Sequence, residues 1–199
     1  LLQLLPKAAY IGYTATPFAN VLIDPSYEVD LYPKDFIVAL PKPEGHFGTE
    51  RIFGRERLRE DETDEEFIGL NMVRYIPNEE ANLLRPSKTD HNFIPEVTES
   101  LKDAINYFWL ACAARAARGQ LDQHMTMLVH SSQLIQVHNA TVKQIDAYRQ
   151  SILRLIQRNS DVAHYVDYLR ALWEREHTAV LSSEFGLEHV PFEALAEYL

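Results

Sequence analysis

The feature that most constrains the fold is a pair of apolar stripes in the second half of the chain. Their members recur every three or four residues, which places them on one face of a helix. The first stripe consists of Leu134, Val137, Thr141, Ile145, Tyr148, Ile152 and Leu155, and the second of Val162, Tyr165, Val166, Leu169, Leu172 and Trp173. Asn159 and Ser160 separate the stripes, so we predict two helices, the first starting at Ser132.

Two further helices are predicted from local signals. Ser100 is a capping residue, Asp103 follows three positions later, and Gly119 supplies a left-handed stop, which together predict a helix between them. A final short helix is predicted over residues 192–199.

Four short apolar runs predict β-strands. They cover residues 8–13, 19–23, 36–40 and 125–129, and turn residues such as Gly and Pro border them. Short runs of this kind are typical of buried strands. We therefore predict an α/β fold, with a strand-led beginning and a helical extension.

Composition limits the class of function. The 199 residues are 46% hydrophobic and carry a net charge of −10, so the chain can bury a core but is not an autonomous nucleic-acid clamp, which usually has a basic face. No apolar run is long enough to cross a membrane. The start of the chain also lacks the pattern of a secretory signal. We expect a cytoplasmic protein with no membrane partner.

Three kinds of catalytic signature are missing from the sequence. None of the seven glycines opens a phosphate loop that ends in Lys-Ser or Lys-Thr. No lysine follows an acidic residue by two positions, as restriction-type nucleases require. The eight histidines have no cysteine pair beside them, so we expect no metal site.

A small-residue turn near the beginning of the chain resembles a helicase motif. Thr14, Ala15, Thr16 and Pro17 directly follow the first apolar run, and this string resembles motif III of superfamily 2 helicases. Residues 10–24 are similar to the junction that leads from such a helicase core into the bacterial Z-one domain. That domain accompanies the helicase core in proteins classed as endonucleases.

A second resemblance lies downstream. The helix predicted from Ser100 and the segment from His124 to Ser132 are similar, in content and order, to two blocks of the Z-one domain. The chain thus resembles a fragment that runs from helicase motif III into the Z-one domain.

The resemblance implies an architecture. Residues 1–40 would be the C-terminal strands of a RecA-like (P-loop NTPase type) lobe, residues 41–95 an irregular charged connection, and residues 96–199 a helix-rich α/β Z-one portion.

The resemblance also implies a function. The parent protein would be a bacterial DNA-dependent ATPase and endonuclease that acts in restriction or defence. It would hold ATP and Mg²⁺, contact DNA, and work with protein partners of a defence system. This fragment alone would bind no cofactor and would be inactive as an ATPase or nuclease.

The resemblance and the chain pattern together give the candidate site residues. Thr14, Ala15 and Thr16 would couple the ATP site to DNA. Asn20 and the segment His130, Ser131 and Ser132 would contact DNA or a phosphate, the latter because helix N-termini bind anions. Ser131 or Ser132 as a simple helix cap is the alternative.

Asp24 is open to two interpretations. Its carboxylate would orient a base or a metal, or it would form a turn before Pro25.

A different class of function also fits the sequence. The chain would be a non-catalytic interaction module with an acidic surface, in which the two apolar stripes bind a partner. Exposure of the stripes discriminates between the two classes, because stripes that the chain itself covers cannot bind a partner.

Overall fold

The computed structural model describes residues 9–26, 32–41, 43–56, 68–87, 90, 93–159 and 161–199. The chain forms two compact units, Leu1–Phe47 and Gly48–Leu199. The helices in the described ranges are α1 (Phe18–Val21), α2 (Thr49–Phe53), α3 (Asn78–Leu84), α4 (Glu99–Ala117), α5 (Ile135–Arg158), α6 (Val162–Ala179) and α7 (Phe192–Leu195), with a short 3₁₀ helix at Ser182–Phe185. None of these helices combines the length and the apolar character that a bilayer crossing requires.

The predicted α/β fold is wrong, because the described residues contain no strand and no sheet. Residues 9–13, 36–40 and 125–129 are irregular, and residues 18–21 form α1 instead of a strand. A strand is stabilised by hydrogen bonds to a neighbouring strand and by burial of at least one face. In the described residues these runs have no strand partner, and many of their side chains are exposed, Val38 to 68% and Leu128 to 88%. The RecA-like strands are therefore not present in the described part of the chain.

In the described residues of the first unit, α1 is the regular element. This helix is a single turn, in which the carbonyl oxygen of Pro17 accepts hydrogen bonds of 2.9 Å from the amides of Asn20 and Val21. Large apolar side chains in this unit are exposed, Tyr13 to 89%.

Helix α4 begins at Glu99, and its cap lies two residues before the predicted cap, Ser100. Thr98 is the N-cap, and its hydroxyl accepts a hydrogen bond of 3.4 Å from the amide of Leu101. The amide of Ser100 donates instead to the carboxylate of Glu80 in α3, at 2.9 Å. The predicted stop is confirmed, because Gly119 follows the helix with φ +76°.

Both helices predicted from the apolar stripes are confirmed. Helix α5 begins three residues after Ser132 and ends at Arg158, and its C-cap, Asn159, adopts the left-handed conformation with φ 50°. Ser160, the other predicted boundary residue, lies outside the described residues. Asp161, directly before α6, is also left-handed, with φ 56°.

The core of the second unit lies between α4, α6 and the segment around α7. Its buried members are Leu110, Ala113, Ala114, Leu169, Leu172, Trp173, Val190, Phe192 and Leu195. The indole N–H of Trp173 donates to the carbonyl oxygen of Val190 at 3.0 Å, which satisfies the buried polar atom of the ring.

The two stripes differ in burial. The α6 stripe supplies three core residues, whereas α5 buries only Val137 and Thr141. On α5, Leu153 is 40% and Ile156 is 46% exposed. Leu153 and Ile156 lie beside the α5 stripe, whose own members are buried at Val137 and Thr141 and half-buried at the other five positions. Helix α5 therefore carries exposed apolar side chains next to a stripe that the described chain largely covers.

Candidate functional site

The predicted coupling residues form a turn in the first unit. Thr14, Ala15 and Thr16 are exposed, and the amide of Thr16 donates to the hydroxyl oxygen of Thr14 at 3.0 Å. Asn20 lies in α1, half-buried. A hydroxyl that accepts from the amide two residues on is a common local turn, so this geometry defines a conformation for Thr14 without assigning it a ligand.

Asp24 takes part in a local turn. One carboxylate oxygen accepts from the amide of Ser26 at 2.9 Å and from its hydroxyl at 2.7 Å. These hydrogen bonds to Ser26 lower the pKa of Asp24 because they stabilise the ionised carboxylate. The contact agrees with the turn interpretation of this residue.

The segment His130, Ser131 and Ser132 lies just before α5. The hydroxyl oxygen of Ser132 accepts from the amide of Leu134 at 3.1 Å, so it organises the turn that enters the helix. The N-cap position itself is Leu134, whose side chain cannot cap.

The structure adds His138 to this segment. Its Nε2 contacts the carbonyl oxygen of Ser132, and its ring meets the ring of His130 edge-on at a centroid distance of 5.2 Å. A small pocket of about 210 Å³ adjoins Ser131, His138 and Thr141. In the residues that the structure describes, no three His, Cys, Asp or Glu side chains are placed to hold a metal ion.

A buried hydrogen-bond network, which sequence reasoning missed, connects the three long helices. Its centre is Asn106 on α4, which is fully buried. The Asn106 amide nitrogen lies 2.8 Å from the carbonyl oxygen of Lys102, 2.7 Å from the hydroxyl of Tyr148 and 3.2 Å from that of Tyr168. The hydroxyl of Tyr165 donates to the Asn106 amide oxygen at 2.6 Å. All polar atoms of the Asn106 side chain are thereby satisfied.

The network continues to the surface through charged groups. The hydroxyl of Tyr168 donates to Asp103 at 2.5 Å, and Arg175 donates to the other oxygen of Asp103 at 2.9 Å. Arg175 also donates to Glu176 at 3.0 Å. Glu176 is buried and accepts from Nε and an Nη of Arg74 at 2.9 and 2.6 Å. Residue Arg74 thus attaches the irregular segment before α3 to α6.

Burial keeps the tyrosine hydroxyls of this network protonated. It raises the pKa of Tyr148, Tyr165 and Tyr168 above the ordinary value of 10.0, most strongly for the last two. The hydroxyls therefore stay neutral donors and acceptors into the alkaline range, above the pH at which an exposed tyrosine ionises.

An apolar cleft of about 600 Å³ lies beside the network, between α4, α5, α6 and the end of the chain. Tyr165 belongs to both, because its ring lines the cleft while its hydroxyl bonds to Asn106. Trp109 also lines the cleft, and its ring stacks on Tyr148 at a centroid distance of 6.4 Å. The other lining residues are Cys112, Ala113, Ala116, Leu121, Met125, Arg149, Ile152, Leu153, Ile156, Val162, Val166, Leu169, Phe192, Ala196, Tyr198 and Leu199.

The cleft is suited to an apolar occupant. Several of its lining side chains are exposed, among them Leu121, Leu153 and Ile156. Its one guanidinium, that of Arg149, is already paired with Asp146 at 2.8 Å. Clefts of this size and lining are typical binding sites for apolar groups.

One sequence signal for the network was available. Asn106 stands in the middle of an otherwise apolar stretch of α4, where an uncharged amide is unfavourable unless it finds partners. Its partners lie on two other helices, so the spacing of residues along α4 cannot identify them.

A comparison with protein families gives a match for the second half of the chain. A family model described as the Z1 domain, the Z-one domain of the resemblance above, matches residues 100–199. This range holds the cleft and all of the network except Arg74. Comparison with curated proteins and with solved structures gives no match. Because the family model covers half of the chain, the chain belongs to the Z1 domain family.

Proposed function

We propose that the chain is the docking portion of a bacterial protein in which a superfamily 2 helicase core drives ATP-coupled DNA processing, in restriction or defence. The observation that carries the docking role is the apolar cleft of about 600 Å³ with exposed side chains of α5 on its wall. Membership of the Z1 family and the resemblance of residues 10–24 to a helicase junction support the helicase context.

In this proposal the helicase core holds ATP and Mg²⁺. The Z1 portion receives an apolar segment of that core, or of a partner protein of the defence system, in the cleft. The Asn106 network supports this role because it fixes Tyr165 at the cleft wall and holds Tyr148, on which the lining residue Trp109 stacks. The Z1 portion itself would carry out no hydrolysis.

Thr14 to Thr16 would relay between ATP and DNA. The support is the resemblance of Thr14-Ala15-Thr16 to motif III, together with the exposure of both hydroxyl-bearing residues. Under this proposal Thr16→Ala in the helicase-containing protein weakens DNA stimulation of ATP hydrolysis and leaves nucleotide binding nearly intact. Equal DNA stimulation of ATP hydrolysis in the variant and the wild type would show that Thr16 has no coupling role.

The central experiment measures phosphate release from ATP, with and without duplex DNA. It compares a protein that carries this chain joined to its helicase core with the 199-residue chain alone. We expect DNA-stimulated turnover by the former and none by the latter. Turnover by the chain alone would overturn the proposal, and no turnover by either, with both folded, would leave the interaction module as the function.

A cleft variant tests the docking role in the same assay. Ile156→Glu places a carboxylate in the cleft wall, whereas Ile135→Glu places one at an exposed position of α5 that does not line the cleft. We expect DNA-stimulated turnover to decrease about tenfold for the first variant only, which corresponds to about 1.4 kcal/mol of docking free energy.

A further inference from the structure

The charge of α5 has the opposite sign to that of the chain. The chain has a net charge of −10, whereas α5 carries four cations, Lys143, Arg149, Arg154 and Arg158, and one carboxylate, Asp146, for a net charge of +3. By the same count α4 is neutral and α6 has a net charge of −1. Positive charge is thus concentrated on one helix of an acidic protein.

Three of the four cations share the face of α5 that points away from the cleft. At 100° per residue, Lys143, Arg154 and Arg158 lie within one sector of the helix, and Ile152 and Ile156 of the cleft lie on the opposite side. We call this sector the basic face. Its members are Gln136, Ala140, Lys143, Ala147, Gln150, Arg154 and Arg158.

Among the residues that the structure describes, the cations of the basic face have no acidic partner. Lys143, Arg154 and Arg158 are exposed and, in the part of the chain that the structure describes, make no ion pair. Arg149 differs, because Asp146 accepts two hydrogen bonds from it at 3.1 and 2.8 Å. The negative end of the helix dipole stabilises the positive charge of Arg158. Lys143 lies about four turns from that end, so the dipole does not stabilise its charge.

We propose that the basic face binds the phosphate backbone of nucleic acid. Unpaired cations on an acidic protein create a local potential that attracts a polyanion. From Lys143 to Arg158 the helix rises by about 22 Å, which matches about six base pairs of duplex DNA. Gln136 and Gln150 supply amide donors of the kind that contact phosphates, and Ala147 leaves room for close approach.

Nucleic acid fits this face better than an acidic protein segment does. The amide and small side chains between the cations suit a regular, hydrated row of phosphates and offer no apolar anchor for a peptide. The inference rests on the proposed DNA-processing function for its biological setting. Its test, however, needs neither ATP nor a helicase core.

The test measures binding of the 199-residue chain to fluorescent duplex and single-stranded DNA by anisotropy, over a range of salt concentrations. The basic-face variant combines Lys143→Gln, Arg154→Gln and Arg158→Gln. The control variant combines Lys34→Gln, Arg85→Gln and Lys102→Gln, which remove the same charge at exposed or half-exposed positions elsewhere. Circular dichroism verifies that all three proteins have the same helix content.

We expect micromolar binding by the wild type at low salt. The basic-face variant should bind at least tenfold more weakly, and the slope of log K against log salt should be shallower by about 2 to 3. The control should stay within twofold of the wild type. Absence of wild-type binding at low salt, or equal losses in both variants, would overturn the proposal.

Two further results separate the alternatives. If polyglutamate displaces the DNA as well as unlabelled DNA does, the face takes an acidic protein segment and the nucleic-acid proposal is wrong. If DNA binding depends on the basic face but the helicase-containing protein shows no DNA-stimulated turnover, the proposed function fails while this inference stands.

Discussion

The side-chain amide of Asn106 in α4 donates a hydrogen bond of 2.7 Å to the hydroxyl of Tyr148 in α5. This bond joins α5, which buries only two of its own side chains, to the helices that form the core. The same amide group also bonds to Tyr165 and Tyr168 of α6. One residue of α4 therefore fixes the other two helices that border the cleft.

Replacement of Asn106 should destabilise the protein strongly. Asn106→Leu keeps the volume but leaves buried tyrosine hydroxyls without their partner, which we expect to lower the free energy of unfolding by about 3 kcal/mol. Denaturant unfolding followed by circular dichroism measures the change. Asn139→Leu, at an exposed position of α5, is the control and should change stability by less than about 0.5 kcal/mol. A loss below about 1 kcal/mol for Asn106→Leu would show that the network contributes little.

Stability should decrease at alkaline pH. Burial raises the folded-state pKa of Tyr148, Tyr165 and Tyr168 above 10.0, the value expected in the unfolded chain. The contribution of these protonated hydroxyls to the free energy of unfolding is therefore fully present below pH 10 and is lost as the pH rises further. Unfolding free energies measured on both sides of pH 10 test this, and Tyr165→Phe should make the decrease shallower. A stability that does not change with pH above 10 would contradict the prediction.

Loss of the Glu176 carboxylate should release the segment around Arg74. Glu176→Ala removes both hydrogen bonds to Arg74, and we expect a loss of about 2 kcal/mol because Arg74 is partly exposed and recovers some hydration. Hydrogen exchange should become faster in residues 70–76 before it does so in α6. Glu174→Ala, at an exposed position of the same helix, should leave the exchange unchanged.

Substitutions at the N-terminus of α4 distinguish between two possible capping residues, Thr98 and Ser100. Thr98→Ala removes the hydroxyl that accepts from Leu101 and should lower the free energy of unfolding by about 1 kcal/mol, which thermal unfolding measures. Ser100→Ala, at the cap expected from the sequence, should have a smaller effect, since the Ser100 amide is held by Glu80 and its backbone is unchanged. Equal losses in the two variants would contradict the assignment of Thr98 as the cap.

The helices could be predicted because their signals are local. The stripes of α5 and α6 repeat at helical spacing, and Asn159 and Gly119 adopt the left-handed conformations that end helices. The predicted start of α4 is wrong because Thr98 and Ser100 are both good caps, and the local sequence does not show that the Ser100 amide donates to a carboxylate distant in sequence, that of Glu80.

The strands could not be predicted from short apolar runs. Such a run becomes a strand only when another strand offers hydrogen bonds, and this condition is not visible in the run itself. Leu128 and Val38 are apolar in sequence yet exposed in the structure. The Asn106 network could not be predicted from the sequence for a similar reason, because Asn106 meets its partners only when three helices pack.

The stacking of Trp109 on Tyr148 gives the cleft an intrinsic optical reporter. The chain has two tryptophans, and the other, Trp173, is buried in the core with its indole bonded to Val190. A molecule that enters the cleft would change the surroundings of Trp109 and leave those of Trp173 intact. Fluorescence of the unlabelled protein, compared with that of Trp109→Phe, would therefore follow cleft occupancy directly, so that apolar peptides could be screened for binding before the natural partner is identified.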